Sequence, residues 1–385
     1  MKQRRHYTVH RLSRDAERLV RLAKGLADSG SRAEDAWWEA ELTAQIDKML
    51  AAGQEEALNQ ALDRLHETHA RAYDSLADLI EAGTESPVPG HLLIALPVLA
   101  WSRYRIPDRK LPAALLANLR VQLQAHVLAE GVSAGLADVL FSPDQLPRGF
   151  VETHRFARQL GKLAETGQDL AIAANSLPET GHYIADVRYV LAMLTAPAGR
   201  PLFRWQEVDG TREAALKAWR DQAGASLQAA MAGCAIEAQL PDAYFTAWRQ
   251  ADQAARGYSL SATAAYLQGA LGLTSPTDIE AFAAPYYDHR LVEWRVGFAR
   301  KGDDAILHGV VWPLLGAEDE NTDVAGEIER TLKDAGLTRV VLLDQRMPLE
   351  YCEDCGAPMF PNAEGESVHA EMPEAEDDAP PMHLH

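Results

Sequence analysis

The chain has 385 residues and a mass of 42.2 kDa, of which 47% are hydrophobic and 24% charged; this excludes a disordered or fibrous protein and predicts about two domains. Its formal net charge is −19 and its pI about 5.1, which argues against nucleic-acid binding as the main role, because that requires a basic surface. Three cysteines exclude a disulfide scaffold and are typical of the reducing cytoplasm. We expect no membrane association, because the longest apolar run, Leu92 to Trp101, is short and contains Pro97, and residues 1–25 lack the apolar segment of a secretory signal.

The charges concentrate at the two ends of the chain. Residues 1–24 contain eight Lys or Arg against two Asp or Glu, whereas residues 350–385 contain ten Asp or Glu and no Lys or Arg. A basic arm for nucleic acid or for an acidic partner is one interpretation of the first segment. A solvated helix with its charges on the outer face is the simpler interpretation, and we favour it.

Residues 1–86 are predicted to form a helical module. Ser13 is a candidate N-cap for a first helix, and a second helix is predicted from about residue 32 to 52. Apolar side chains at steps of three and four predict a third, continuous helix from about Leu58 to Ile80. The segment Ser86-Pro-Val-Pro-Gly90 is rich in turn residues and marks the first domain boundary.

Residues 90–350 are predicted to form an α+β body of three possibly repeated β-α-β units. Each unit has a tryptophan near a strand end and a hydrophobic-proline step after its second strand. Antiparallel hairpins are predicted for 188–195 with 202–205 and for 293–299 with 305–314. The units comprise strand 92–101, helix 112–130 and strand 136–141; the first hairpin, helix 211–231 and strand 234–240; and the second hairpin, helix 323–335 and strand 339–344. Further helices are predicted at 149–166, 243–257 and 261–271.

Residues 351–385 are predicted to form a zinc-knuckle-like tail. Cys352 and Cys355 are separated by two residues, a spacing that can place both sulfurs on one tetrahedral Zn²⁺ ion. Gly356 follows directly and can adopt the backbone conformation that such a turn needs. Structural zinc is therefore the predicted cofactor.

Two thiolates make half of a tetrahedral site, and the chain has no second Cys-x-x-Cys. His369, His383 and His385 are the candidates for the remaining ligands, and the terminal pair is attractive because that segment has no evident packing role. Two chains could instead share one ion. A redox dithiol and an unmetallated turn remain alternatives; acidic neighbours of the cysteines disfavour the dithiol.

Two polar clusters carry an alternative enzymatic hypothesis. Glu152 and His154 form one, and Asp288, His289 and Arg290 form the other. Acid, base and cation together can perform general acid–base chemistry, so the alternative function is a hydrolase or transferase with a pocket in the α+β body. Such clusters are more often surface ion pairs or helix ends. The phosphate-binding and dinucleotide-binding glycine motifs are absent from the sequence.

Over nearly its full length the chain resembles an uncharacterised bacterial family, domain of unknown function 2863. The resemblance rests on the segments LSRDAERL (12–19), ADSGS (27–31), FSPDQLP (141–147), PLFRWQ (201–206), LPDAYF (240–245), VVWPLLGAEDE (310–320) and CEDCG (352–356). It implies one architecture for the whole chain and a bacterial cytoplasmic setting, and it assigns no activity.

The sequence thus favours a zinc-binding cytoplasmic protein of unknown biochemical function that acts through interactions or regulation rather than catalysis. A protein partner or a homodimer is the expected mode of action. The helical module would dock that partner, and the metal would order the acidic tail.

Overall fold

A computed structural model describes residues 12–372 of the chain except His182 and Asp209. The first four helices are α1 (Arg14–Ala27), α2 (Arg32–Ala52), α3 (Glu55–Thr68) and α4 (Ala70–Glu85). They share one apolar core, and Ser13 caps α1 as predicted, accepting a hydrogen bond from the Ala16 backbone N–H at 3.2 Å.

The predicted third helix is in fact two helices. At His69 the backbone leaves the helical conformation, with φ −163° and ψ 84°. The imidazole Nδ1 of His69 accepts a hydrogen bond from the Ala72 N–H at 3.1 Å and so caps α4. The apolar spacing continues across this break, because both helices bury their stripes in the same core.

The rest of the chain alternates strands and helices. In order these are β1 (His91–Trp101), α5 (Ala113–His126), β2 (Ser133–Leu136), α6 (Gly149–Ala164), β3 (Ala185–Thr195), α7 (Arg212–Ala230), β4 (Ala235–Ala238), β5 (Asp242–Ala243), α8 (Tyr244–Ala270), β6 (Ile279–Asp288), β7 (Arg290–Arg300), β8 (Ile306–Pro313), α9 (Val324–Asp334), β9 (Arg339–Leu342), β10 (Met347–Pro348), β11 (Phe360–Pro361) and β12 (Ser367–Val368). The α+β class is confirmed, since the long neighbouring strands pair antiparallel.

The first sheet has the order β2-β3-β1-β4, and β5 also pairs with β1. Its central strands β1 and β3 run antiparallel over their whole length. Helices α5 and α7 cover one face through side chains such as Leu119 and Trp219. Helix α6 and the first half of α8 cover the other face through side chains such as Leu160 and Ala251. Both faces of this sheet are therefore covered by helices.

The second sheet has the order β10-β6-β7-β8, and β9 also pairs with β6. Helix α9 and the second half of α8 pack on one face, where Ile328 and Leu260 contact Phe298 and its neighbours in the core. Helix α8 has 27 residues, about 40 Å of helix, so its two halves serve different sheets. The predicted break near Gly257 does not occur; a Cβ there would lie 3.6 Å from the Thr331 side chain of α9, so the glycine permits close helix packing.

The three predicted units are realised in two different ways. The units that begin with β1 and β3 interleave in the first sheet, since β2 pairs with β3 and β4 pairs with β1. The third unit lies in the second sheet, where β9 pairs with β6, a strand that the sequence analysis missed. The predicted β7–β8 hairpin is confirmed. The hairpin predicted for 188–195 with 202–205 is wrong, because β3 pairs with β1 and β2 and Phe203 forms only a bridge with Leu128.

The helical region contacts the body at α6 and α8. The Glu55 carboxylate accepts hydrogen bonds from the N–H groups of Phe150 and Val151, at 3.0 and 2.7 Å, at the start of α6.

The division of the chain into the domains 1–86, 90–350 and 351–385 stays a prediction. None of the helices in the described part of the chain has both the length and the apolar character that a bilayer crossing requires.

Candidate metal centre

The Cys-x-x-Cys segment folds as a tight turn that begins directly after the second sheet. The N–H of Cys352 donates to the Ala357 carbonyl at 2.8 Å, and the N–H of Gly356 donates back to the Cys352 carbonyl at 2.9 Å. Gly356 has φ +73°, a left-handed conformation that a side chain would strain. The turn thus matches the knuckle predicted from the Cys-x-x-Cys-Gly pattern.

A short hairpin then returns the chain to this turn. Strands β11 and β12 pair antiparallel, with Phe360 opposite Val368. The Asn362 side-chain oxygen accepts from the N–H groups of Glu364 and Glu366, at 3.1 and 2.8 Å, and so closes the loop between the strands. His369 directly follows β12, so the hairpin carries its imidazole back beside the cysteines.

Cys352, Cys355 and His369 form a compact cluster of three ligand atoms. The Cys355 Sγ lies 3.3 Å from the His369 Nε2, and the three ligand atoms lie within 4.8 Å of one another. Around tetrahedral Zn²⁺, bond lengths of about 2.3 Å to sulfur and 2.0–2.1 Å to nitrogen place such atoms about 3.5–4 Å apart. The cluster has a spacing that could hold a metal ion.

The electrostatic surroundings are compatible with a bound cation. Backbone N–H groups of Cys355 and Asp354, together with the Cys355 side chain, lower the pKa of the Cys352 thiol, although the Asp354 charge opposes this shift. The His369 Nδ1 lies 3.6 Å from a carboxylate oxygen of Glu371 and has no hydrogen-bond partner in the described residues. Metal-binding histidines commonly orient their second nitrogen towards such a carboxylate.

A buried arginine attaches the metal-site segment to the second sheet. Arg295 in β7 is fully buried, and its Nη1 donates to the carbonyls of Glu350 and Met359, at 2.6 and 2.8 Å. Its Nε donates to Glu293 at 2.6 Å, and its guanidinium stacks between the rings of Tyr286 and Tyr351, at 4.3 and 4.9 Å from their centroids. Arg295 therefore clamps both ends of the knuckle.

Arg295 is not among the site residues predicted from the sequence. A strand places residues i and i+2 on one face, so the pattern Glu293-Trp-Arg295 inside an otherwise apolar strand is the signal that could have identified the pair.

Residues 350–372, here called the C-terminal cap, cover the second face of the second sheet. Phe360 is buried against Phe282 and Ile306 in a small apolar cluster. A Cβ on Gly309 would lie 2.3 Å from the Phe360 ring, so the cap fits over a position that only glycine leaves open. The Glu371 N–H donates to the Ile306 carbonyl at 2.8 Å near the end of the cap. The sheet face thus supplies the apolar partner for cap residues after Pro361, such as Val368 and Ala370.

His383 and His385 fall outside the described residues, and the structure places His369 beside the cysteines. Cys234, the third cysteine, is buried directly before β4, and burial raises the pKa of its thiol.

The residues of the enzymatic hypothesis lie in two different settings. His154 is buried in α6, where burial and the neighbouring Arg158 lower its pKa, and Glu152 accepts a hydrogen bond from the Arg148 N–H at 3.1 Å. Asp288 and His289 form the turn between β6 and β7, where the His289 side chain is 95% exposed. The turn therefore offers no enclosed site around its acid and base.

Comparison with known proteins places the whole architecture in one family. A family described as protein of unknown function, DUF2863, matches residues 4–383. The chain belongs to this family. No curated protein and no solved structure gives a significant match to this DUF2863 chain.

Proposed function

We propose that this DUF2863 protein is a non-catalytic zinc-binding protein of the cytoplasm, with Cys352, Cys355 and His369 as protein ligands, that acts through interactions with a partner or a second copy of itself. The observation that supports the metal site most directly is the 3.3 Å approach of the Cys355 Sγ to the His369 Nε2 beside Cys352. Cysteine and histidine are the preferred ligands of structural zinc.

The role proposed for the metal is to hold the C-terminal cap closed. The ion would join the start of the cap, at Cys352 and Cys355, to its end, at His369, and so fix the hairpin between them. Metal binding energy then becomes folding energy for a segment with few apolar residues. The Arg295 clamp would hold the start of the cap, and the metal would hold its end.

The proposal requires a fourth ligand, since structural zinc sites are four-coordinate. His383 and His385 are the candidates within the chain. The other arrangement is an ion shared by Cys352 and Cys355 of two chains, which supplies four thiolates and leaves His369 outside the coordination shell.

The interaction part of the proposal is supported by the surface of the helical region. The Trp37 side chain is 55% exposed and packs edge-to-face on Trp38 with ring centroids 4.6 Å apart. Exposed tryptophans are enriched in the central contacts of protein interfaces.

The test is the zinc content of the full-length chain, purified without added metal and without a histidine tag. We expect about one zinc per chain in the wild type and a loss of metal in Cys352→Ser, Cys355→Ser and His369→Ala, because each variant removes one of three or four ligands. Hydrogen exchange of residues 350–372 should rise in the same variants while exchange in the first sheet stays unchanged.

Matched controls separate this site from adventitious binding. Cys234→Ser removes the buried cysteine and His289→Ala an exposed histidine, and both should retain the metal. His383→Ala and His385→Ala identify the fourth ligand if one of them lowers zinc affinity. About half a zinc per chain, with a doubled molar mass by light scattering, would indicate a shared ion. Wild-type protein with an ordered cap and no bound metal would contradict the proposal.

A further inference from the structure

A cavity of about 220 Å³ lies between the two sheets, next to the C-terminal cap. Strand β8 forms one wall, and Ser259 and Thr263 of α8 form another. The segment before β3, beginning at Tyr183, and the cap residues Pro358 and Phe360 complete it. The cavity is thus assembled from four parts of the chain that are distant in sequence.

The described residues that line this cavity carry no Asp, Glu, Lys or Arg side chain. His308 is the basic side chain among them, and burial lowers its pKa to about 4, so it is neutral at pH 7. Transferring an ion into such surroundings would remove its hydration without supplying an opposite charge. The cavity therefore selects against charged ligands.

Polar groups without protein partners face this region. Thr263 is 2% exposed, and among the described residues its hydroxyl forms no hydrogen bond, as is also true of the Ser259 hydroxyl one helical turn earlier. By contrast, Ser261 on the same helix donates to the Gly257 carbonyl at 3.2 Å. The lining residue His308 has a buried Nδ1 with no hydrogen-bond partner among the described residues, which is unfavourable until a ligand or water supplies one.

Strand β8 adds backbone donors and acceptors to the same wall. It is the terminal strand of the described second sheet, and at its two ends the Ile306 carbonyl accepts from the Glu371 N–H and the Pro313 carbonyl accepts from Arg256; no further strand of the described chain pairs with its outer side. The rings of Tyr183, His308 and Phe360 provide flat apolar surfaces around the cavity.

We propose that this cavity binds a compact, uncharged aromatic compound that carries an amide-like donor–acceptor group, and that metal binding in the cap raises its affinity. A cavity of about 150 Å³ is known to accommodate benzene, so about 220 Å³ suits one ring with a polar substituent. The ring would pack among the aromatic side chains, and the amide would satisfy the α8 hydroxyls and the edge of β8.

The link to the metal follows from the position of the cap and rests on the function proposed above. Pro358 and Phe360 lie between the cysteine pair and His369, and Ala370 directly follows His369; all three line the cavity. A metal that fixes these residues prepares the wall of the cavity and lowers the ordering cost of binding. By thermodynamic linkage the ligand must strengthen metal binding by the same factor.

The test uses three fluorinated probes of similar size with the full-length, metal-loaded chain: 4-fluorobenzamide, 4-fluorobenzoate and 4-fluorotoluene. Fluorine NMR should give a Kd of about 1 mM or tighter for the benzamide, and at least about tenfold weaker binding for the negatively charged benzoate. Thr263→Val keeps the side-chain shape and removes the hydroxyl; it should weaken benzamide binding about fivefold to tenfold and leave fluorotoluene binding unchanged. Ser261→Ala is the matched control on α8 and should change neither.

The metal arm compares the wild type with Cys352→Ser. Benzamide affinity should fall about fivefold or more in the variant, and benzamide should raise the zinc affinity of the wild type by the same factor. If the wild type binds no metal, the proposed function fails, while the Thr263→Val comparison still decides whether the cavity is a ligand site. Equal binding of benzamide and benzoate, or no effect of Thr263→Val, would refute the cavity proposal.

Discussion

The two five-stranded sheets of this protein are covered in different ways. Both faces of the first sheet pack against helices, which bury Trp219 and Leu119 on one side and Leu160 on the other. The second sheet has helices on one face and the C-terminal cap on the other, where Phe360 is the one cap residue among the buried members of the apolar cluster.

This difference shows how an irregular segment can replace a helix as a cover. A helix satisfies most of its own backbone groups and contributes a whole apolar stripe, so burial alone holds it in place. The cap has a small apolar contact and many backbone groups that need partners, so it depends on directed contacts. Arg295 supplies two of these contacts, and the Cys352, Cys355 and His369 cluster is placed to supply the third.

Each sheet nevertheless contains one buried arginine of the same design. Arg188 in β3 is 2% exposed, donates to the carbonyls of Pro107 and Ile106 at 2.8 and 3.1 Å, and pairs with Asp186 two residues earlier. Arg295 in β7 likewise donates to a carbonyl of the cap, that of Glu350, and pairs with Glu293 two residues earlier. In both sheets an arginine on a central strand therefore holds a non-helical segment by its carbonyl oxygens.

The largest expected effect follows from removing either arginine. Arg295→Met and Arg188→Met each remove a buried guanidinium that pairs with a carboxylate and donates to backbone carbonyls, so we expect the free energy of unfolding to fall by about 3–5 kcal/mol. Urea unfolding measures this loss. Hydrogen exchange should separate the two variants: Arg295→Met should expose residues 350–372, and Arg188→Met should expose residues near Ile106. Equal exchange patterns would contradict the local roles assigned to the two arginines.

A smaller effect is expected where the cap contacts the sheet. Gly309→Ala places a methyl group 2.3 Å from the Phe360 ring, and because overpacking displaces one of the two we expect a loss of about 1–3 kcal/mol in urea unfolding. Gly224→Ala in α7 is the matched control. A Cβ there meets nothing within 4 Å, so the better helix propensity of alanine should raise stability by about 0.5–1 kcal/mol. Stability unchanged by Gly309→Ala would mean that the cap is not packed tightly on β8.

The elements of the two sheets differ in how well the sequence predicts them. Helices α5 and α7, strand β1 and the β7–β8 hairpin have strong local signals: apolar periodicity, a ten-residue apolar run and the Lys301-Gly302 turn. Strand β6 has none of these. It is rich in alanine, contains Pro285 and is buried along most of its length, so no alternation of polar and apolar residues marks it.

Long-range pairing is the second feature that the sequence could not determine. The strand after each helix pairs outside its own unit, as β2 does with β3 and β9 with β6, and no local pattern encodes such a partner. For the metal centre, Cys-x-x-Cys-Gly predicted the turn. Choosing His369 from three histidines required the Asn362–Gly365 turn that reverses the chain, together with the sheet face on which the hairpin packs.

The smallest expected effect tests whether the knuckle turn itself serves the metal. Gly356 has φ +73°, and a Cβ there would meet nothing within 4 Å, so Gly356→Ala adds only backbone strain of about 1 kcal/mol. If this strain lies in the metal-bound turn, the zinc affinity should fall about fivefold. Gly302→Ala, in the β7–β8 turn at φ +78°, carries the same strain in equally open space. Zinc titration against a competing chelator should therefore show weaker binding for Gly356→Ala alone, while both variants lose similar stability. Equal zinc affinity in both variants would mean that the metal does not depend on the left-handed turn, and that the cap is held by Arg295 and Phe360 instead.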